Sequence, residues 1–407
     1  MSSTRFTSLR RPPRGMRGLV ARLLLYRGLD DFVLIYPLYA VLFRDRGLDA
    51  LQISTLLIIW SVVSLVAEVP SGALADRTSR RALLVWAQVL RGAGFAAWLL
   101  APDYVGFATG FILWGLGGSL VSGTYEALVY DELEAVGATS RYASVIGRVQ
   151  SVSLSAIAAA TLLASPVAVL GYDALLLASI GACVAAAASV ALLPARPPRI
   201  EATEEDYLGT LRRGVRLALR VPALARLVAL GAIAGGVYGA IEEYIGLFVD
   251  DRIAVLAIVP LALAVTDAVA AIGSFTAGRF GGWALPSIAV LVAVSGVLLA
   301  VAGFGPGLIG LVLITAYVFA ASLSAVLLDA RLQDAVGDGP RATITSVAGF
   351  GMEALAIGTY LTYGLVANRF GSAGALAVAG ALTAALALLS LALPGLHTPG
   401  PEAAPGQ

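Results

Sequence analysis

Charge is scarce in this chain, and the side chains most useful to enzymes and metal sites are nearly missing. Charged residues make up 13% of the 407 and hydrophobic residues 59%, where a soluble protein carries roughly a quarter charged. The mean hydropathy is +0.87. There is one cysteine, Cys183, and one histidine, His397. No disulfide can form within the chain, and no Cys/His metal centre can be assembled. His397 lies beyond the last apolar run, so histidine cannot relay protons inside a membrane. Lysine is absent, all 27 basic residues being arginine. The Gly-x-x-x-x-Gly-Lys loop of nucleotide-driven pumps therefore cannot be completed. With no nucleophile–histidine pair, no metal cluster and a net charge of only +1, neither an enzyme nor a nucleic-acid binder is expected, and no cofactor.

What is present is apolar sequence in runs long enough to cross a bilayer, about 20 residues each. Six runs come first, at Leu19 to Phe43, Leu51 to Leu74, Ala82 to Leu100, Val105 to Tyr130, Ile146 to Leu170 and Asp173 to Leu193. Six follow a polar interval, at Pro222 to Val249, Ile253 to Ala277, Trp283 to Phe304, Gly307 to Leu328, Ile344 to Val366 and Ser372 to Leu393. The runs lack the alternation of barrel strands, and lipid obliges backbone groups to bond within a segment. The expectation is an all-α membrane protein of twelve transmembrane helices in two six-helix bundles, 19–193 and 222–393. A linker over 194–221 joins them, a basic N-terminus occupies 1–18, and a Pro/Gly-rich tail expected to be disordered occupies 394–407.

Arginine placement predicts orientation. One set of alternate loops carries Arg77, Arg80, Arg81, Arg141 and Arg148, and shares its side with the arginine-rich N-terminus and linker. The other set holds only Arg44, Arg46, Arg252 and Arg369. The positive-inside rule then puts both termini and the linker in the cytoplasm. The Arg/Ala/Gly bias points to a bacterium and hence to its inner membrane. Within the linker, Leu208, Leu211, Val215 and Leu219 fall at helical spacing, which predicts a surface helix on the inner leaflet.

An internal repeat supports the two halves. Ser122 to Arg141 and Ser322 to Arg341 share their serine, an Ala-Val-Gly run and the closing arginine in register. A weaker echo links Ser71 to Arg77 with Gly273 to Arg279. Between the second and third runs stands Gly72-Ala-Leu-Ala-Asp76-Arg77-Thr-Ser-Arg80-Arg81. This resembles the cytoplasmic loop signature of the major facilitator superfamily, and the likeness extends over essentially the whole chain. Glu68-Val-Pro-Ser, Ser122-Gly-Thr, Glu126-Ala-Leu and Tyr130-Asp131 resemble a bacterial efflux-permease branch.

The resemblance implies the major facilitator fold, alternating access, a small-molecule substrate, and a monomer among membrane lipids. It also implies a gate latch formed by Glu68, Gly72, Asp76, Arg77, Arg80 and Arg81. Gly72 lets a helix approach closely, Asp76 can cap a helix or pair with arginine, and the arginines bind acidic groups and lipid phosphate. The chain departs from the pattern in three places. Ser79 stands where the signature has glycine, the fourth run lacks the arginine of proton-driven members, and the antiporter stretch of the fifth is reduced to Ser165-Pro166 and Gly171.

Ionisable groups inside membrane helices are costly, and by default they mark ion or substrate paths. Arg27, Asp30 and Asp31 lie in the first run, Glu68 in the second, Arg91 in the third and Glu126 in the fourth. Glu242 and Glu243 lie in the seventh, Asp267 in the eighth and Glu353 in the eleventh; Asp329 ends the tenth. The superfamily resemblance puts helices one, four, seven and ten around a cavity. Asp30, Asp31, Glu126, Tyr125, Glu242 and Glu243 are therefore expected on a substrate and proton pathway, with Asp267 and Glu353 flanking it. Adjacent carboxylates sit about 100° apart on a helix, so one of each pair is expected to face the pathway and its neighbour to meet another helix. Arg27 can neutralise Asp30 at i, i+3 or contact substrate, and Arg91 is expected to pair with a buried acid.

Tyr26, Tyr36, Tyr39, Tyr125, Tyr238 and Tyr244 suggest an aromatic wall that attracts lipophilic cations. Anchoring at the bilayer surface accounts equally well for Tyr39 and Tyr244. Pro37 and Gly235-Gly236 are expected to interrupt helices one and seven, as breaks at transport sites do. The leading reading is a secondary transporter exporting a lipophilic or cationic compound in exchange for protons. Proton-coupled import of a nutrient and a non-transporting sensor or scaffold are the competing readings.

Overall fold

The computed structural model describes residues 16–194, 209, 216, 221–336 and 341–392, and among these the chain is helical without a strand. The surface helix expected around 208–219 lies outside the described residues but for two isolated positions. In the N-terminal segment the helices are α1 (Met16–Asp30), α2 (Tyr39–Asp45), α3 (Ala50–Arg77), α4 (Arg80–Leu100), α5 (Tyr104–Val121), α6 (Thr124–Ala135), α7 (Tyr142–Ala168) and α8 (Tyr172–Ala191). In the C-terminal segment they are α9 (Pro222–Ile253), α10 (Val259–Thr276), α11 (Leu285–Ala302), α12 (Gly307–Val336) and α13 (Arg341–Ala392).

Local chemistry sets many of the boundaries. Asp49 caps α3 in a reciprocal box, accepting from the Gln52 amide at 2.8 Å while the Gln52 side chain accepts from the Asp49 amide at 3.0 Å. Asp103 caps α5 through the Gly106 amide at 2.9 Å. Pro222 opens α9 where its missing N–H costs nothing.

Ten stretches of the described residues are long and apolar enough to cross a membrane. The first predicted span is not among them because it is broken. Residues 31–35 leave helical geometry between α1 and a 3-10 turn at Tyr36–Leu38 that leads into α2. Backbone groups freed by the break find side chains. Arg91 Nη1 donates to the Asp30 carbonyl at 2.7 Å, and the Ile35 amide donates to Ser179 Oγ at 3.1 Å. The interruption between Asp30 and Tyr39 thus includes Pro37, where one was expected.

Two further discontinuities sit at glycines with positive φ, a conformation that L side chains resist. Gly123 (φ 69) separates α5 from α6, and Gly371 (φ 74) divides α13. Gly235-Gly236, by contrast, do not interrupt α9, contrary to the sequence expectation. A Cβ on Gly235 would lie 2.6 Å from Met352 Sδ, and one on Gly236 2.4 Å from the Met352 carbonyl. Their absent side chains let α9 press against α13 as an unbroken rod.

The same close packing of small residues joins α4 to α5 through Gly94 and Gly110, and α11 to α13 through Gly296 and Gly380. Large apolar side chains such as Leu100, Leu170 and Phe275 point outward, as a lipid-facing surface requires. The two segments meet along α3 with α13, α7 with α10, and α2 with α9. We call the end bearing Arg77, Arg80, Arg81, Arg141 and Arg331 the basic end, and the end with the turns near Gly47 and Ala254 the far end.

Candidate functional site

At the far end, polar contacts tie the two segments together. Arg44, closing α2, pairs with Asp250 and donates Nη1 to Asp251 at 2.8 Å. The Leu51 amide donates to Asn368 Oδ1 at 3.2 Å, and Ser165 Oγ donates to the Ala257 carbonyl at 2.5 Å. One layer deeper, Ser54 and Tyr244 share a hydrogen bond of 2.6 Å, with the Tyr244 ring stacked on Tyr363 at 3.7 Å. Deeper still, the Tyr36 hydroxyl donates to Glu243 Oε1 at 3.2 Å and the Tyr39 hydroxyl donates to Oε2. Tyr39 and Tyr244 are therefore interior groups with specific partners, which removes bilayer anchoring as their explanation.

Beneath this seal two neighbouring chambers lie between the segments. The inner chamber, about 370 Å³, is walled by Trp60, Met352, Ala356 and Tyr360, and by Glu242, Glu243 and Glu353. The outer chamber, about 470 Å³, reaches toward the basic end past Ser64, Ser122 and Thr345, between Glu68 and Glu353. Ser64 and Glu353 line both. Among the described residues, no arginine lines either chamber.

Both members of the Glu242-Glu243 pair face the inner chamber, where one was expected to turn away. The lining positions of α9 are 235, 236, 239, 242 and 243, which at 100° per residue span a face of about 120°. A wall that wide accommodates two adjacent side chains at its edges. Asp267 stands at an exposed position of α10 and interacts electrostatically with Glu242.

The acids of the first span have different surroundings. Asp30 is buried and accepts from Gln88 Nε2 at 2.6 Å, Arg91 Nη1 at 2.7 Å and Arg27 Nη1 at 3.4 Å. Asp31 pairs with Arg27 Nε at 2.7 Å and accepts from Ser153 Oγ at 2.5 Å. Two carboxylates and two guanidinium groups thus neutralise one another inside the N-terminal segment. The Tyr125 ring stacks on Tyr26, and its hydroxyl donates to the Leu23 carbonyl at 2.9 Å, so it buttresses α1. Glu126 is exposed on the first turn of α6, four positions beyond Ser122 of the outer chamber.

Helices packed around a central cavity, sealed at one end and acid-lined within, are the layout of a carrier. The family model of the Major Facilitator Superfamily matches residues 25–359. The chain belongs to the Major Facilitator Superfamily. It is a membrane transporter of that superfamily. No curated protein matches it in sequence. Among solved structures, the nucleoside transporter NupG is 12% identical with a TM-score of 0.76, over 92% of this chain and 98% of that one. A bacterial homolog to the human lysosomal transporter Spinster, in an inward-facing and unoccupied conformation, is 15% identical with a TM-score of 0.72, over 93% and 96%. A D-xylose-proton symporter is 16% identical with a TM-score of 0.66, over 91% and 96%. At such identities the likeness is one of fold.

The superfamily loop occupies the basic end of this transporter. Arg80 pairs with Asp131 and donates to the Ala127 carbonyl at 3.3 Å, while Arg81 donates to the Leu193 carbonyl at 2.6 Å. They fasten the start of α4 to α6 and to the end of α8, all within the N-terminal segment. Glu68 faces the outer chamber, and Arg77 is exposed at the end of α3. A Cβ built on Gly72 would meet nothing within 4 Å, so the close helix approach expected there is not made in this conformation. The side chain of Asp76 lies outside the described part of the structure. Sequence reasoning passed over Trp60, Met352 and Ser153, and used Arg44 only for orientation and Asp131 only for the resemblance; the roles of all five come from contacts between distant segments.

Proposed function

We propose that this transporter is an alternating-access exchanger that exports a lipophilic or cationic small molecule against protons. It crosses the bacterial inner membrane twelve times, in two six-helix bundles, with both termini and the basic end in the cytoplasm. The break in the first span and the division of α13 at Gly371 support the twelve crossings, and arginine bias supports the orientation. The conformation is then open to the cytoplasm and sealed toward the outside.

The observation that carries the exchange is the bond from Tyr36 and Tyr39 to Glu243. A charged, unliganded Glu243 is a strong acceptor and holds the two tyrosines of the gate across the segment boundary. A proton on the carboxylate, or a cation paired with it, weakens that hold. Two different ligands thus release one gate, and the empty charged carrier stays shut, which is the requirement for obligatory exchange. Glu242 and Glu353 share the chamber and supply further acidic groups. In this reading proton carriage rests with these glutamates, and Asp30 and Asp31 keep a structural role beside Arg27 and Arg91.

Proteoliposomes with an internal pH dye test the proposal. Substrate movement should drive proton movement in the opposite direction, and Glu243→Gln should lose the proton flux and bind the cationic substrate more weakly. Proton movement in the same direction as substrate would assign import by symport instead. Substrate flux without any pH change would sink proton coupling altogether.

A further inference from the structure

We infer that the cavity is built for an elongated cation with two chemically different ends, an apolar or aromatic ammonium head in the inner chamber and a hydroxyl-rich tail in the outer one. The inference rests on the cation reading above and adds the shape and polarity of the substrate. The two chambers differ in kind. Trp60, Tyr360 and Met352 give the inner chamber aromatic and polarisable walls beside Glu242 and Glu243, the combination that holds an aromatic or alkyl ammonium group. Beyond Ser64, which lines both, the outer chamber offers beside Glu68 the hydroxyls of Ser122 and Thr345, which both donate and accept and so match a polyol or sugar. Glu353 stands at the junction, in reach of either part.

Glycines mark the space as made for a ligand. A Cβ on Gly239 of the inner chamber, or on Gly118 or Gly349 of the outer, would meet nothing within 4 Å. These three are helical and make no close helix contact, unlike Gly235 and Gly236, where an added Cβ collides with α13. Their missing side chains widen the chambers. Chambers of about 370 and 470 Å³ each sit low in the span of drug-sized sites, about 300–1,000 Å³. One chamber suits part of such a molecule, and the two together suit a whole one.

Three pairs of probes test this on the purified full-length chain: phenyl, naphthyl and biphenyl ethylamines bearing a ring hydroxyl, each with its O-glucoside. Binding is measured by calorimetry. The glucosides should bind about tenfold more tightly than the parent amines, the sum of one or two net hydrogen bonds. Gly349→Val should remove that advantage and leave the parent amines unaffected. Gly239→Val should weaken both members of every pair. Should Gly349→Val fail to fold, Thr345→Val, which removes a hydroxyl at nearly constant shape, should cut the glucoside advantage in part. Equal binding of amines and glucosides would overturn the two-ended site and leave the cation reading standing. Neutral aryl glucosides binding as tightly as the amines, or no binding by any pair, would overturn the cation reading and this inference with it.

Discussion

Two groups of carboxylates lie within the helices, and their surroundings are opposite. Asp30 and Asp31 meet Arg27 and Arg91 within 3.4 Å, inside the N-terminal segment. Glu242, Glu243 and Glu353 face a cavity with no arginine among the described residues that line it, and the partners of Glu243 are tyrosine hydroxyls from across the segment boundary. An acid neutralised on site has little left to offer a ligand, whereas an acid facing space with only neutral donors retains its pull. Possession of a charge within a helix therefore says less about function than whether the fold brings a counter-charge to it.

The largest expected effect falls on the neutralised group. Arg91→Leu would strand the Asp30 carboxylate in the interior, at a cost of about 3–5 kcal/mol. The protein should lose monodispersity in detergent and unfold at a lower temperature, and Asp30→Asn in the same chain should recover part of the loss. A variant as stable as wild type would erase the distinction between the two groups. Glu243→Gln should show the converse, with unfolding temperature nearly unchanged and substrate-dependent proton flux reduced to background.

A smaller effect is expected at the far-end seal. Arg44 is a third exposed and its partner Asp251 somewhat more, so the ion pairs there are worth about 1 kcal/mol. Arg44→Ala should raise the rate at which a cysteine introduced by Ser54→Cys reacts with an impermeant thiol reagent from outside, by about fivefold. Cys183, the sole native thiol, is buried, which keeps the background low. An unchanged rate would show that the tyrosine layer seals the cavity alone. The smallest effect concerns Glu126, exposed on the first turn of α6. Glu126→Gln should keep transport within about twofold of wild type, the range of ordinary surface changes. A loss as deep as that of Glu243→Gln would return the proton pathway to the fourth span.

Much of the helical layout was legible because apolar runs and arginine clusters are local properties. Arg91 was legible as the partner of a buried acid because an isolated guanidinium in a membrane helix is too costly to leave alone. Helix direction was less legible. Glu242 and Glu243 share a chamber because the wall of α9 is wide, and sequence gives an angle between side chains without the width of the wall. One of the two expected breaks was misplaced for a similar reason. Gly235-Gly236 and a packing surface look alike in sequence until Met352, from another helix, is set against them. Tyr125 shares a span with Glu126 yet turns to the Leu23 carbonyl, since neighbours on a helix look in different directions.

The non-helical residues 31–35 make the first crossing two short rods in place of one long one. A continuous helix resists bending and torsion along its whole length, so a tilt at Tyr39 would be transmitted as strain to Asp30. Here the Asp30 carbonyl is held by Arg91 and the Ile35 amide by Ser179, and the dihedrals between those two anchors can absorb the rotation. The rod that carries Tyr36, Tyr39 and Arg44 can tilt while the rod that carries the ion-pair cluster stays seated. In the proposed alternating-access cycle, the elastic work of such a tilt would be confined to a few backbone bonds, and the most electrostatically demanding part of the interior would stay undisturbed.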